Sequence, residues 1–342
     1  MDELIKQIET EERKLKRLRS QLYLKERETI IPKVFNQEIT DNWSMYQGDC
    51  VEVIKGIPDE SIGYSIFSPP FLSLYVYSNS LQDMGNSKND NEFYSHFSYL
   101  MPELFRVLKT GRLVSIHCSI IHKTLTHDNS MGLKDLPGMI VQLMENFGFE
   151  YHSKVVIWKS ALLQATRTKT LSLAHKQISK DSSRCGQGFA DEILTFVKPG
   201  ENKEPIAHGR GFENYIGDLP EPKIPKNDNP KLNKYSHEVW QRYASPIWMD
   251  INQSDTLNAR SARDNADERH ICPLQLQVIA RCLELWTNPG DIVLSPFAGI
   301  GSEGFESLKM ERKFIGIELK ESYYKNAIKN LKTAKNRQKG IL

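Results

Sequence analysis

Residues 290–304 read GDIVLSPFAGIGSEG, in which a short apolar segment, residues 292–294, runs into a turn that carries Gly299 and Gly301. Glycine lets a backbone turn sharply and pass close to a ligand, and a helix after the turn adds oriented N–H donors. A second apolar segment, residues 314–317, follows and ends at Glu318. A carboxylate about twenty residues after such a turn can accept hydrogen bonds from a ribose diol. The stretch therefore predicts a strand, a glycine turn and a helix that bind a nucleotide-like cofactor.

Further apolar and amphipathic segments alternate along the chain. Strands are predicted at residues 44–47, 64–67, 113–117, 154–158, 193–197, 292–294 and 314–317. Helices are predicted at residues 92–108, 136–147, 273–286, 304–310 and 322–332. Short continuous apolar strands between amphipathic helices are typical of a parallel sheet with helices on both faces. We therefore predict an α/β fold with a doubly wound, mostly parallel, Rossmann-like sheet.

The composition is that of a soluble globular protein. The chain has 342 residues, of which 39% are apolar and 26% are charged, and its net charge is +2. This length suffices for one large domain with an insertion, and the charge alone does not indicate a nucleic-acid-binding protein. The chain shows no secretory signal and no apolar run near the roughly 20 residues of a membrane span. Its five cysteines form no Cys-x-x-Cys pair, which argues against disulfides and a metal site and favours the cytoplasm.

Two stretches interrupt the alternation of strands and helices. Residues 159–190 are basic, and residues 199–265 are rich in Pro, Asn, Lys and Gly with interspersed aromatic residues. So long a weakly patterned region inside one domain is usually functional. At the ends, residues 1–30 are predicted to form a helix that either packs on its own domain or forms a short coiled coil, and residues 335–342 form a basic tail.

A rigid corner follows the strand predicted at residues 64–67. Residues 65–71 read SIFSPPF, so the strand ends at Ser68, Pro69, Pro70 and Phe71. Proline donates no N–H and restricts the residue before it, which stops the strand. The corner then presents a hydroxyl, a carbonyl of fixed direction and an aromatic ring. The two oxygens can hold the N–H groups of an amine, and the ring can stack on a base.

Together these segments resemble the amino-directed DNA methyltransferases, the DNA methylase N-4/N-6 family. The resemblance lies in Gly48-Asp49-Cys50, Ser68-Pro69-Pro70-Phe71 and Pro296-Phe297-Ala298-Gly299-Ile300-Gly301, and it spans roughly residues 44–332. The catalytic corner comes first and the cofactor glycines come late, which is similar to the beta arrangement of the family.

The resemblance implies a Rossmann-like methyltransferase sheet with a circularly permuted motif order. Its catalytic half is expected at residues 43–158 and its cofactor-binding half at residues 266–334. Between them, residues 159–265 are expected to form a target-recognition insertion that includes a returning strand near residues 193–197.

The same resemblance implies S-adenosyl-L-methionine as the cofactor and double-stranded DNA as the substrate. Ser68, Pro69, Pro70 and Phe71 are the expected catalytic residues, and no metal is expected. Asp49 is expected at the adenine end of the cofactor and Glu318 at its ribose. The full set expected at the cofactor is Asp49, Cys50, Ser68, His270, Cys272, Pro296, Phe297, Ala298, Gly299, Gly301, Ser302 and Glu318.

The sequence leaves the target base open. In the family, Ser-Pro-Pro-aromatic is mostly associated with cytosine N4 and Asp-Pro-Pro-aromatic with adenine N6. We therefore expect methylation of a flipped-out cytosine, with adenine N6 as the alternative. Ser295 stands where relatives usually carry an aspartate, which removes a carboxylate expected near the ammonium group of the cofactor. This departure keeps a non-catalytic DNA-binding subunit with the same fold as a further alternative.

Two other classes of enzyme stay in competition. One is a methyltransferase that acts on RNA or protein. The other is a nicotinamide oxidoreductase, which is disfavoured because no Tyr-x-x-x-Lys or His/Asp pair stands out in the sequence. The partners expected besides DNA are a second copy of the chain or a cognate restriction endonuclease, and no membrane is expected.

Overall fold

The computed structural model describes residues 33–71, 84, 87, 90–123, 132–168, 173–258 and 274–338. The helix predicted at residues 1–30 lies outside these residues, as do His270, Cys272 and the end of the basic tail. Within the described residues the strands are β1 (Asn36–Ile39), β2 (Trp43–Gln47), β3 (Ile62–Phe67), β4 (Leu108–Ser119), β5 (Ile121–Lys123), β6 (Gly132–Lys134), β7 (Glu150–Ile157), β8 (Asp191–Val197), β9 (Ile247–Trp248), β10 (Ile292–Ser295) and β11 (Lys313–Glu318).

Helices precede or follow most of these strands. In chain order they are α1 (Cys50–Val53), α2 (Asp90–Ser98), α3 (Met101–Val107), α4 (Leu136–Asn146), α5 (Ala161–Thr168), α6 (Ile178–Asp181), α7 (Lys234–Ala244), α8 (Leu276–Trp286), α9 (Ser302–Lys309) and α10 (Glu321–Gln338).

The main sheet has the strand order β1-β2-β11-β10-β3-β4-β8-β7-β9. The five strands β2, β11, β10, β3 and β4 are parallel to their neighbours within this group, whereas β1 and β8 run antiparallel to β2 and β4. The two C-terminal strands β10 and β11 are thus inserted between β2 and β3. The predicted α/β fold with a mostly parallel, permuted sheet is confirmed. Strand β8, near the predicted residues 193–197, lies between β4 and β7 in this same sheet, and the predicted domain boundaries stay predictions.

The core has two layers, one on each face of the sheet. Helices α2, α3 and α4 bury their apolar side chains against one face, with Phe97 and Leu104 among them. Helices α8, α9 and α10 bury theirs against the other face, with Ile279, Phe305 and Leu331 among them. Burial on both faces explains why the central strands read as continuous apolar segments.

Several helix predictions were wrong in their limits: α9 begins at Ser302 rather than at residue 304, and α10 extends to Gln338 rather than to residue 332. For two other helices the local sequence explains the difference. The single helix predicted at residues 92–108 is broken into α2 and α3, and Leu108 already belongs to β4. Pro102 sits in the first turn of α3, where its missing N–H costs nothing, but the same residue inside one continuous helix would remove a hydrogen bond. Helix α8 begins at Leu276 rather than at residue 273, because Gln275 has the extended backbone of an N-cap residue.

A buried arginine joins β3, β4 and β10 at their amino ends. Arg112, on β4, donates from Nε to the carbonyl of Gly63 on β3 at 2.8 Å. Its Nη2 contacts the carboxylate of Asp291, immediately before β10. The carboxylate also accepts a hydrogen bond from the backbone N–H of Asn288 at 2.7 Å. This contact ties the N-terminal part of the sheet to its C-terminal strands.

A small separate cluster organises the region after β8. It is built around α7, where Tyr235, Val239 and Tyr243 pack against Phe212. Arg281 of α8 connects this cluster to the main sheet, since its two Nη atoms lie 3.0 and 2.8 Å from the carboxylate oxygens of Asp250. In the part of the chain that the structure describes, no helix has the length and hydrophobicity needed to cross a lipid bilayer.

We expect Arg112→Met to lower the free energy of unfolding by about 3–5 kcal/mol, because it leaves the Asp291 carboxylate buried without its cation. Urea unfolding followed by circular dichroism measures the loss. The matched control is Arg210→Met, since Arg210 pairs with Glu213 at 2.6 Å while both side chains are more than half exposed. That variant should lose less than about 1 kcal/mol. Equal losses in the two variants would contradict the role assigned to Arg112.

Candidate active site

The segments singled out in the sequence meet at the carboxyl edge of the parallel strands. The N–H of Gly48, after β2, donates to the carbonyl of Glu318 at 3.0 Å, and the N–H of Ala298, after β10, donates to that of Ile317 at 2.9 Å. Strand β10 lies beside β3, so the loop after β10 and the corner after β3 are neighbours. Ligands of open α/β sheets bind at such an edge, where the strand order reverses.

The glycine loop leaves open space beside its first glycine. Gly299 has φ 52° and Gly301 has φ 85°, both in the left-handed region that favours glycine. A Cβ at Gly301 would lie 3.2 Å from Cβ of Ala327, whereas a Cβ at Gly299 would meet nothing within 4 Å. Helix α9 begins directly after this turn, at Ser302. The loop therefore leaves space for a ligand beside Gly299.

The Glu318 carboxylate fixes the conformation of this loop. One oxygen accepts a hydrogen bond from the N–H of Gly299 at 2.8 Å, and the other accepts one from the N–H of Lys320 at 2.8 Å. The carboxylate thereby joins the glycine loop to the backbone that follows β11. Its predicted role at a ribose stays a prediction.

Asp49 and Cys50 begin helix α1 beside the same edge. The Asp49 carboxylate caps the helix by accepting a hydrogen bond from the N–H of Val51 at 2.9 Å, and burial raises the pKa of its carboxyl. Cys50 belongs to the first core layer, and burial raises the pKa of its thiol well above the usual value. Asp49 is thus placed with the loop residues, and Cys50 contributes chiefly to packing.

The corner after β3 is held by contacts with β4. The Ser68 hydroxyl lies 2.9 Å from Nδ1 of His117, and the ring of Phe71 lies 6.0 Å from the imidazole. The preceding Phe67 packs on Phe297 of the glycine loop, with ring centroids 5.6 Å apart. The two predicted halves of the site, corner and loop, are therefore in direct contact.

A chain of polar contacts that sequence reasoning missed continues from Ser68. Nε2 of His117 lies 3.0 Å from a carboxylate oxygen of Asp191, the first residue of β8. Nζ of Lys159, two residues after β7, contacts the same oxygen. Lys159 begins the basic stretch at residues 159–190, and no spacing signal in the sequence linked His117 to Asp191.

The charges of this group affect the ionisation of Asp191. Burial raises the pKa of its carboxyl, but the combined effect of His117 and Lys159 is larger and leaves the pKa below its ordinary value. Asp191 is therefore a buried carboxylate that stays ionised because cations or donors face it on two sides.

Beneath the glycine loop lie two buried polar side chains. Ser295 is fully buried, and its hydroxyl has no hydrogen-bond partner among the described residues. Glu303, in the first turn of α9, is also buried, and burial raises the pKa of its carboxyl from 4.5 to about 8, with the charge of Glu318 acting in the same direction. A carboxyl therefore lies near the loop although Ser295 itself is uncharged.

The remaining predicted residues divide in two groups. Pro296, Phe297, Ala298 and Ser302 lie in or next to the glycine loop, and Pro69 and Pro70 lie in the corner. His270 and Cys272 lie outside the described residues.

Beyond Lys159, a cleft of about 310 Å³ opens at the same edge, and its lining includes Trp158, Leu163 and Met249.

The raised pKa of Glu303 predicts a specific dependence of stability on pH. The folded chain keeps the proton of Glu303 up to about pH 8, whereas the unfolded chain releases it near pH 4.5. The free energy of unfolding that Glu303 contributes therefore falls as the pH rises through this window. Urea unfolding of Glu303→Gln should show similar stability to the wild type at pH 5 and greater stability at pH 8.

The matched control for this measurement is Glu321→Gln, because Glu321 is largely exposed in the first turn of α10. Its difference from the wild type should stay constant between pH 5 and pH 8. A constant difference for Glu303→Gln as well would contradict the raised pKa.

Comparisons with known proteins agree with this arrangement. The model of the DNA methylase family matches residues 64–329. The chain is 24% identical over 283 residues to the type II methyltransferase M.BamHI of Bacillus amyloliquefaciens, which covers 82% of this chain and 55% of that protein. It is 24% identical over 324 residues to M.BglI of Bacillus subtilis, covering 85% and 86% of the two chains. The chain thus spans little more than half the length of M.BamHI.

Solved structures share the fold at low sequence identity. The PvuII DNA methyltransferase (cytosine-N4-specific) superposes with a TM-score of 0.57 and 15% identity, covering 89% of this chain and 96% of that one. A protein of Thermus thermophilus, solved in complex with S-adenosyl-L-methionine, gives a TM-score of 0.57 and 20% identity, covering 86% and 94%.

Proposed function

The chain belongs to the DNA methylase family, and we propose that it transfers the methyl group of S-adenosyl-L-methionine to the exocyclic N4 of a cytosine in duplex DNA. The observation that carries the proposal is the contact between the two halves of the site. The Ser68–Phe71 corner and the Gly299 loop are more than two hundred residues apart in sequence, and Phe67 and Phe297 bring them together. A methyl donor on the loop and an amine at the corner would lie side by side.

The residues at the glycine loop fit the cofactor. The open space beside Gly299, the Glu318 carboxylate and the Asp49 carboxylate suit the methionine, ribose and adenine parts respectively. When bound, S-adenosyl-L-methionine supplies an electrophilic methyl group attached to a sulfonium sulfur. The chain's own contribution is to hold the acceptor amine in line with that group, and such positioning accounts for much of the rate.

The corner after β3 supplies the groups that an exocyclic amine requires. The lone pair of such an amine is conjugated with the base, so the nitrogen is a poor nucleophile. The Ser68 hydroxyl and the carbonyl of Pro69 can each accept one N–H, which favours a pyramidal, more reactive nitrogen. Phe71 is half-buried and its exposed face can stack on a base rotated out of the duplex.

The choice of cytosine rests on Ser68 and on one relative. The Ser-Pro-Pro-Phe form is mostly associated with cytosine N4 within the family, and the PvuII enzyme, which has the same fold, is described as cytosine-N4-specific. Adenine N6 is the alternative, since a hydroxyl accepts an amino proton from either base. The site sequence in DNA would be read by residues 159–265, whose role as a recognition region is part of the proposal.

Transfer of labelled methyl groups tests the function directly. Purified protein with tritiated S-adenosyl-L-methionine should label duplex DNA, and long-read sequencing of DNA from cells that express it should place the mark on cytosine. Ser68→Ala should lower kcat by about 10²- to 10³-fold, because the amine loses one of its two acceptors. Label in RNA or protein instead of DNA would overturn the proposal, and a mark on adenine would select the alternative.

Replacement of Phe71 separates base binding from cofactor binding. We expect Phe71→Ala to lower methyl transfer to DNA by about tenfold to a hundredfold, since stacking on one base contributes roughly 1–3 kcal/mol. The affinity for S-adenosyl-L-methionine, measured by titration calorimetry, should stay within about twofold of the wild type.

The control for the Phe71 variant is Tyr151→Ala. Tyr151 is also an exposed aromatic residue, but it lies at the amino end of β7, away from the corner after β3. It should leave both quantities unchanged. Equal losses of cofactor affinity and transfer rate in Phe71→Ala would contradict the stacking role.

A further inference from the structure

We propose that His117 and Asp191 are positioning residues for Ser68: they orient its hydroxyl as an acceptor and take up the proton that the methylated amine releases. This inference rests on the proposed function, since it concerns the same corner. It assigns a role to two side chains that no motif in the sequence marks.

The two residues are held in place by the pairing of β4 with β8. His117 lies opposite Ile193 in this antiparallel ladder, and Asp191 lies opposite Ser119. Asp191 is therefore the diagonal neighbour of His117 on the same face of the sheet, within reach of a long side chain. Both side chains are at least nine-tenths buried, which keeps their contact free of competing water.

The charge of Asp191 favours one position for the proton of His117. Nε2 lies 3.0 Å from the ionised carboxylate of Asp191, within reach of its charge although the two atoms do not form a hydrogen bond, and we assign the N–H of a neutral imidazole to this nitrogen. Nδ1 is then an acceptor, and the hydroxyl of Ser68, at 2.9 Å, is the donor. The carbonyl of His117 lies farther from the same hydroxyl, at 3.4 Å. The single hydroxyl proton of Ser68 is thus directed at His117.

This direction matters for the reaction because a hydroxyl can also donate. A Ser68 hydroxyl that donated to the target nitrogen would occupy the lone pair that must attack. With its proton held by His117, Ser68 has only lone pairs to offer, and these accept an N–H of the amine. The arrangement therefore favours a base whose amine donates an N–H to Ser68, and it disfavours a base whose nitrogen lone pair accepts the hydroxyl proton.

The same contacts account for the leaving proton. The nitrogen lone pair forms the new N–C bond as the bond between the methyl carbon and the sulfonium sulfur breaks, which leaves a thioether and a positively charged, methylated amine. That amine loses one proton to Oγ of Ser68 while the hydroxyl proton of Ser68 passes to Nδ1 of His117. The product amine is neutral, and the positive charge ends on an imidazolium beside Asp191.

Lys159 limits how strongly Asp191 attracts that charge. Its ammonium group contacts the same carboxylate oxygen and its side chain is about one-quarter exposed, at 27%. The neighbouring titratable groups on the two strands are Cys118 and Glu192, and successive side chains of a strand point to opposite faces. The groups that face His117 are thus Ser68, Asp191 and, through Asp191, Lys159.

If the contact between His117 and Asp191 served only to stabilise the fold, its loss should have the same effect as the loss of the next polar pair in the β4–β8 ladder. Ser115 and Thr195 lie opposite each other on β4 and β8, with their hydroxyl oxygens 2.9 Å apart, and both are buried. They face the same side of the sheet as His117 but lie farther from the corner along both strands. Thr195→Val is therefore the matched control for variants of His117.

The first experiment measures kcat for DNA methylation against pH. The wild type should lose activity on acidification, because an imidazolium cannot accept the proton of Ser68. His117→Asn keeps an oxygen acceptor near the position of Nδ1 but has no imidazole to protonate. Its kcat should be about a hundredfold lower, and its pH profile should lack the acid limb, which is the loss of activity on acidification. Its dissociation constants for the cofactor and DNA, and the pH profile of Thr195→Val, should match the wild type.

The second experiment uses Lys159→Met, which alters a partly exposed side chain. Without the ammonium group, Asp191 acts on His117 alone and stabilises the imidazolium more strongly. The acid limb of kcat should therefore move to higher pH.

Either of two results overturns the inference: a kcat of His117→Asn within threefold of the wild type, or an acid limb that stays in place in Lys159→Met. Transfer of the methyl group to RNA or protein instead of DNA would overturn the proposed function alone. The role of His117 and Asp191 would then be tested with the same variants on the amine of the RNA or protein substrate.

Discussion

Pairing of β10 with β3 is the constraint on which the site depends. Ser65 and Leu294 are opposite each other in the parallel ladder, and the Ser65 hydroxyl donates to the Leu294 carbonyl at 2.9 Å. Both strands are buried on both faces, so a shift of this register by one residue would exchange the side chains that pack in the two core layers. The corner after β3 and the glycine loop after β10 then have only one relative position. Arg112 reinforces the same pairing from the opposite end of the strands.

The site is built almost entirely from strand ends and the few residues that follow them. Asp49, Ser68, His117, Asp191 and Glu318 all lie within two residues of a strand terminus. Such positions inherit the rigidity of the sheet and lie at the edge where the parallel strands end. Several of them have a structural contact as well: Glu318 holds the glycine loop and Asp49 caps α1. Binding groups that are fixed before a ligand arrives lose little entropy when it binds.

The sequence allowed the sheet and its two main motifs to be predicted, and the physical reason is local. Buried parallel strands are continuous apolar segments, and the Pro69-Pro70 corner and the Gly299 turn have strict backbone requirements. The contact of His117 with Asp191 could not be predicted in this way. It requires that β8 lies next to β4 in the sheet, and that the two strands pair in the register that makes Asp191 the diagonal neighbour of His117. Neither the strand order nor the register follows from the local sequence. Pro102 indicates the boundary between α2 and α3, but the amphipathic pattern on both sides of Pro102 favoured a single helix.

The insertion of β10 and β11 between β2 and β3 has a consequence for how the chain reaches its fold during synthesis. When β3 and β4 leave the ribosome, the edge of β3 that later pairs with β10 has no partner. At about 5–20 residues per second, the roughly 230 residues between them take about ten to fifty seconds to translate. For that time an apolar strand has an unpaired edge, which is a template for pairing with other chains. A permuted order of motifs therefore favours slow completion of the sheet.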